Sequence, residues 1–221
     1  MTFYDKDGKP YNYDIGPSSF IGEGTTGKVY KINDKECLKC IDYGYFPKGL
    51  FQLLNNMDLN GFIKLGIPFY KNYCIIAYTM EYLKKSFQSI LDKPTDYTID
   101  NFEIIYNDVV KLSSCGIKLY DLCWKNMIVG EEIIKVIDFD YYDKTLENDV
   151  YFFNVDNLVN AFKFLYLDAV KNDSRINVSS MLELIDFLDC LFDIDGYYDN
   201  PVSTLKKMLV GVKRPRDLFL R

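Results

Sequence analysis

Apolar and polar positions alternate over short runs in the first third of the chain. Residues 20–41, FIGEGTTGKVYKINDKECLKCI, read as strand, Gly-rich turn, strand, polar turn and strand. KVYKI and CLKCI are separated by Asn33-Asp34-Lys35-Glu36, a plausible four-residue hairpin loop. Residues 48–60 carry a short helical pattern, and FIKLGIPFY and NYCIIAYTMEY follow as two strands around Lys71-Asn72. This half is expected to be an antiparallel sheet with one helix.

The spacing then turns helical. Phe102, Ile105, Val109 and Leu112 share a face, Asp100 and Glu103 have capping-box spacing, and Gly116 is a stop signal. MIV and EIIKVIDF predict a hairpin around Gly130. Residues 149–168 are apolar nearly all round, which predicts a helix buried on most sides. A further amphipathic helix is expected from about Ser180 to Phe192. Together these elements predict an α+β fold.

Composition bounds the function. A chain of 221 residues suffices for one large domain or two small lobes, and needs no disulfide or metal staple. The net charge of −6 and pI near 4.8 argue against broad nucleic-acid or anionic-membrane binding. The basic run Lys213 to Arg216 reads as a solvated terminus. No apolar stretch marks a signal core in MTFYDKDGKPYNYD or a membrane span elsewhere. Cys37 and Cys40 form a C-x-x-C, but a strand sends them to opposite faces, and no second pair or His completes a zinc site. All six Cys read as reduced thiols, which places the chain in a reducing, cytoplasmic compartment. The chain contains no histidine, so Ser-His-Asp and Cys-His hydrolases and His-ligated metal sites are excluded. Any general base must be Asp, Glu, Lys, Tyr or Cys.

Gly22-Glu-Gly24-Thr-Thr-Gly27-Lys-Val29 matches G-x-G-x-x-G-x-V and joins two strands, whereas a dinucleotide fingerprint leads into a helix. Such glycines let backbone amides press against phosphate oxygens. Lys39 stands twelve residues after Gly27 on the next strand, where an ammonium can meet phosphates. Asp121-Leu-Cys-Trp-Lys-Asn126 and Ile137-Asp138-Phe139-Asp140 follow, at the two ends of the predicted hairpin.

These motifs, in this order over residues 20–165, resemble the protein kinase family. The resemblance implies a two-lobed fold, with an N-lobe of sheet plus one helix over 1–81 and a reduced, mainly helical C-lobe over 82–221. It implies ATP and Mg²⁺ as cofactors. Met80 becomes the gatekeeper, the Glu81 carbonyl and Leu83 amide the adenine contacts, and Ile21, Val29 and Cys37 the cover above the base, with Ile128 below. Asp121 accepts the substrate hydroxyl's proton, Asn126 and Asp138 hold Mg²⁺, and Lys39 and Lys125 bring positive charge to the phosphates. Asp149 starts the family's central helix and braces the catalytic-loop backbone.

The departures are specific. Tyr120 replaces the Arg that receives an activation-loop phosphate, only ten residues separate Asp138 from Asp149, and no A-P-E follows. Leu119 stands for the family's His and Asp140 for its Gly. No Glu lies between Glu36 and Glu81, so Gln52 or Asp58 is left to contact Lys39. The trimmed chain resembles minimal bacterial effector kinases, which extends its compartment to a host cytosol, and also RIO-type and aminoglycoside- or choline-kinase-like enzymes. The implied activity is γ-phosphoryl transfer to a protein Ser or Thr, without activation-loop control. One alternative is a small-molecule kinase with an acidic pocket of Asp140, Asp143 and Glu147; another is a pseudokinase serving as a binding module. Asp193-Ile-Asp195-Gly196 lacks the spacing of a calcium loop and reads as an exposed turn.

Overall fold

A computed structural model describes residues 1–42, 46–83, 88–89, 99–129, 134–139 and 141–171. The fold is α+β and divides into two compact units: Met1–Leu59 with Ile63–Lys85, and Asn60–Phe62 with Ser86–Arg221. The expected helix near 180–192, Cys190, the calcium-loop-like turn and the basic tail lie outside the described residues.

The first unit opens with a hairpin that the pattern did not signal, β1 (Thr2–Tyr4) and β2 (Pro10–Asn12). Its turn is closed by Asp5, whose Oδ1 accepts the amides of Asp7 and Lys9, each at 2.9 Å. Then come β3 (Phe20–Glu23), β4 (Gly27–Lys31), β5 (Glu36–Ile41), α1 (Lys48–Asn56), β6 (Leu65–Lys71) and β7 (Cys74–Glu81). The strands form one antiparallel sheet in the order β3-β4-β5-β7-β6. Asn33 Oδ1 shapes the β4–β5 turn by accepting the Lys35 and Glu36 amides at 2.8 and 2.9 Å. Asn72 and Tyr73 turn β6 into β7 with φ of 50° and 66°, the left-handed pair that a two-residue hairpin loop demands.

Strand alternation divides the sheet's side chains cleanly. Leu38, Ala77 and Phe69 are buried on one face beneath Phe3, Tyr11 and Tyr13 of the N-terminal hairpin. In α1, Leu50, Phe51 and Leu54 are the buried stripe. Phe51 and Phe46 meet Tyr78 edge-on, with ring centroids 5.5 and 5.6 Å away. Cross-strand pairing sets Lys39 between Val29 and Tyr78, and Cys37 beside Met80. Cys40 belongs instead to the cluster of Leu38 and Phe69. The two C-x-x-C thiols therefore lie on opposite faces, as strand geometry requires.

The second unit contains β8 (Gln88–Ser89), α2 (Ile99–Ser114), β9 (Ile117–Leu119), a 3₁₀ turn (Trp124–Asn126), β10 (Met127–Val129), β11 (Ile134–Val136), β12 (Tyr142–Lys144) and α3 (Val150–Lys171). Its strands form two small antiparallel sheets, β11-β10-β8 and β12-β9. The helices pack through Phe102 and Phe162, whose ring centroids are 4.4 Å apart. Asn60–Phe62, expected within the first lobe, belongs here for a clear reason. Buried Asp108 on α2 accepts the Asn60 and Gly61 amides, both at 2.6 Å, and the Val136 amide donates to the Gly61 carbonyl at 2.8 Å. Helix α3 is also less enclosed than its sequence suggested: Phe152 and Phe164 are half exposed. No helix among the described residues is long and apolar enough to cross a membrane.

Gly27 and Gly24 stand in the same motif under different constraints. A Cβ at Gly27 would lie 2.0 Å from the Cys40 carbonyl oxygen, whereas one at Gly22 or Gly24 would meet nothing within 4 Å. Gly27→Ala is therefore expected to destabilise the protein by about 1–3 kcal/mol through overpacking against backbone. Gly24→Ala should leave the denaturant midpoint close to wild type. Equal unfolding curves for the two variants would contradict this division.

Candidate active site

A connected polar arrangement in the second unit surrounds Asp121. After β9 the chain makes a tight turn, with the Leu122 amide donating to the Leu119 carbonyl at 3.3 Å, and then the 3₁₀ turn brings Asn126 back. Asn126 Nδ2 donates to Asp121 Oδ2 at 2.7 Å and to the Asp121 carbonyl at 3.0 Å. Both amide hydrogens are thus committed to one residue, and Oδ1 is turned away from that grip. Cys123 donates its thiol to Asp121 Oδ1 at 3.5 Å; burial, then the Asp121 charge, pushes this thiol's pKa up. Backbone pairing brings in the second carboxylate. Met127 faces Val136 across β10 and β11, and the Ile137 amide donates to the Asn126 carbonyl at 2.9 Å, so Asp138 emerges beside the Asn126 loop. Asp121, Asn126 and Asp138 are all half-buried. Asp140, expected to follow them, lies outside the described residues.

Beneath this loop, the strand is fixed by an amide that the sequence reading overlooked. Asn154 on α3 is fully buried, accepts the Leu119 amide at 2.8 Å, and donates to the Ile117 carbonyl at 2.8 Å and to Ser113 Oγ at 2.9 Å. Asn157 donates to the Leu119 carbonyl at 2.9 Å. The bracing role expected of Asp149 therefore falls to Asn154. Asp149 is mostly exposed and takes a hydrogen bond from Lys118 at 3.2 Å instead. The physical reason is position: Asp149 precedes the first turn of α3, while Asn154 is one turn inside it, on the buried face. An Asn beside Val155 in an apolar run was the available signal, since a buried amide needs partners.

The short connection after Asp138 is occupied by structure. β12 pairs with β9 through Tyr142–Leu119, Asp143–Lys118 and Lys144–Ile117, and the Thr145 amide donates to the Gly116 carbonyl at 2.8 Å. Gly116 has φ of 72°, and a Cβ there would stand 2.6 Å from the Thr145 carbonyl oxygen, so both its conformation and its contact require glycine. Lys118, nearly buried, pairs with Glu147 and Asp149, and the Glu147 hydrogen bond leads in holding its pKa above the usual value. Tyr120 packs its ring against Phe153 at 5.3 Å. Lys125 is exposed and lies over the Trp124 ring at 5.5 Å, while Trp124 stacks on Phe164. Ile128 is half-buried on β10, paired with Lys135 and Ser89.

In the first unit, register brings Val29, Cys37, Lys39 and Met80 onto one face. Lys39 is only 5% exposed, a buried ammonium stem rather than a surface lysine. Gly24 closes the Gly-rich turn by donating its amide to the Gly27 carbonyl at 2.9 Å, and Ile21 is half exposed at the bulge in β3. Cys37 directs its thiol at the Met80 and Glu81 carbonyls at 3.7 and 3.6 Å, and burial pushes it up to about 12. Leu83 is half-buried just after β7. Asp58 is exposed, and exposed Gln52 lines an open groove of about 410 Å³ with Asp5, Asp7, Asn55 and Tyr70.

The donor set offered by Asn126 and Asp138, one amide oxygen and one carboxylate, suits a hard cation that keeps most of its waters. Among the described residues no three Cys, Asp or Glu side chains gather into a self-sufficient metal cage. Such a cation is compatible with this site only if a ligand supplies further oxygens. Searched against models of known families and against curated proteins, the chain matches none.

Removing Asn154 strands the Leu119 amide and the Ile117 carbonyl in a dry environment. Asn154→Ala should lower stability by about 2–4 kcal/mol, and Asn154→Asp, which keeps the acceptor but loses both donated bonds, should fall in between. A wild-type unfolding midpoint for either variant would show that the brace is dispensable.

Proposed function

We propose that this protein is a phosphotransferase of protein-kinase-like, two-lobed design that moves the γ-phosphoryl group of Mg-ATP to a protein Ser or Thr hydroxyl. The observation that carries the reading is the coupling of Asp121 to Asn126 by two hydrogen bonds, with Asp138 delivered beside them by the Ile137–Asn126 backbone bond. Phosphoryl transfer asks for positioning and charge neutralisation more than for covalent help, and a chain without histidine retains groups for both.

Each residue has a defined task. Asp121 is the acceptor for the proton of the attacking hydroxyl, and Asn126 keeps its carboxylate oriented so that the remaining lone pairs face outward. Asn126 Oδ1 and the Asp138 carboxylate would hold Mg²⁺, which when bound neutralises phosphate charge. Lys39 supplies a second positive charge for the phosphates. Gly22 and Gly24, where neither the conformation nor a protein neighbour requires glycine, leave the turn's backbone open to a phosphate. Met80, Glu81 and Leu83, with Val29, Cys37 and Ile128, are the residues assigned to the adenine.

The reading that activity needs no activation-loop phosphorylation is supported by the connection 141–149. It is already organised as β12 and by the Lys118 ion pairs, and Tyr120 carries no charge with which to receive a phosphate. The small-molecule alternative is weakened by the same contacts. Glu147, one of the carboxylates it would use, is engaged by Lys118, and Asp143 folds back to cap the Lys144 amide.

The test is label transfer from γ-labelled ATP with Mg²⁺ and mixed protein acceptors, comparing wild type with Asp138→Ala. Wild type should label an acceptor, and the variant's label should fall at least about 100-fold, the scale of losing preorganised charge stabilisation. Equal label from both proteins would remove the kinase reading, and no label from wild type despite tight ATP binding would favour a binding module.

A further inference from the structure

One buried group beside the acidic loops has no role in the reaction as described. Tyr142 opens β12, is only 3% exposed, and has its ring edge-on to Phe62 and Phe139, with centroids 6.4 and 5.4 Å away. Its amide donates to the Phe139 carbonyl at 3.1 Å, which closes the turn that follows Asp138. Its cross-strand partner is Leu119, two residues before Asp121. The two segments that carry the carboxylates thus converge on this residue.

The Tyr142 hydroxyl is fully buried and has no hydrogen-bond partner among the described residues. Burial first, and then the nearby charges of Asp138 and Asp121, push its pKa well above the ordinary value, so the hydroxyl keeps its proton. A buried hydroxyl left unpaired costs about 1–3 kcal/mol, and a Phe would give the same ring packing without that penalty. The backbone convergence brings together one donor, the phenol, and the loops of two carboxylates that only accept. One water satisfies that set, accepting from the phenol and donating a hydrogen to each carboxylate.

We propose that Tyr142 is a positioning residue whose hydroxyl anchors a single buried water that hydrogen-bonds to both Asp121 and Asp138 and fixes their relative orientation. The water's existence is independent of the phosphotransfer reading; its consequence for catalysis rests on that reading. In this role Tyr142 acts through the two carboxylates and not directly on nucleotide or acceptor. Its removal therefore acts on the alignment of the proton-accepting and cation-holding carboxylates, and should be felt in turnover rather than in nucleotide affinity.

The experiment is Tyr142→Phe in the whole chain, with two readouts. A high-resolution crystal structure of wild type should place a water about 2.7–3.0 Å from the phenol oxygen and from both carboxylates, and the variant should lack it. Steady-state kinetics should show kcat reduced about tenfold, the scale of losing an orienting outer partner, with KM for ATP within about twofold of wild type. The variant should remain folded, because the ring contacts persist. A wild-type kcat in the variant, a KM change without a kcat change, or a wild-type structure without that water each overturns the proposal. If wild type transfers no phosphoryl group, the functional reading fails, and the crystallographic arm alone decides: a water with all three partners upholds the positioning role, and its lack sinks it.

Discussion

The second unit depends on one buried amide. Asn154 ties the strand β9 to both helices by a bond at each end of the peptide Ile117–Leu119 and a third to Ser113. β9 has only three residues and one paired neighbour, β12, so its ladder alone is a weak support. Buried, satisfied polar contacts resist displacement because breaking any one of them leaves an unpaired group in low dielectric. The loop that begins two residues later inherits this rigidity. Asp121 is therefore held from below by α3 and from the side by Asn126.

The same unit organises the short connection between Asp138 and Asp149. The stretch from Asp138 to Asp149 spends three residues on β12, and Lys118, itself on β9, takes both Glu147 and Asp149. An ion pair whose carboxylates are solvent-exposed contributes little to stability. Here its geometric consequence matters more: the strand that leads to Asp121 also holds the connection that leaves Asp138. One short element thus fixes the register of both carboxylates.

Much of this was legible in the sequence, because local patterns carried it. The strands β3 to β7, helix α1 and the β10–β11 hairpin follow from alternation, turn residues and helical spacing, and the strand placement of the C-x-x-C correctly separated its thiols. What escaped were features set by tertiary contact. The N-terminal hairpin rests on Phe3, Tyr11 and Tyr13 meeting Phe69, a non-local encounter that no window of residues reveals. Asn60–Phe62 sits in the middle of a locally continuous pattern, yet Asp108 captures it for the other unit. The assignment of the brace to Asp149 followed motif position, whereas burial on the helix face selects Asn154.

The central claim is that Asp121 is the residue through which the acceptor hydroxyl loses its proton. Single-turnover phosphoryl transfer by wild type and Asp121→Asn, with ATP affinity measured in parallel, tests it most directly. The near-isosteric change removes the basicity while keeping most of the shape. The account predicts a rate lower by about 10²–10⁴-fold with unchanged ATP affinity; an undiminished transfer rate in Asp121→Asn would contradict it.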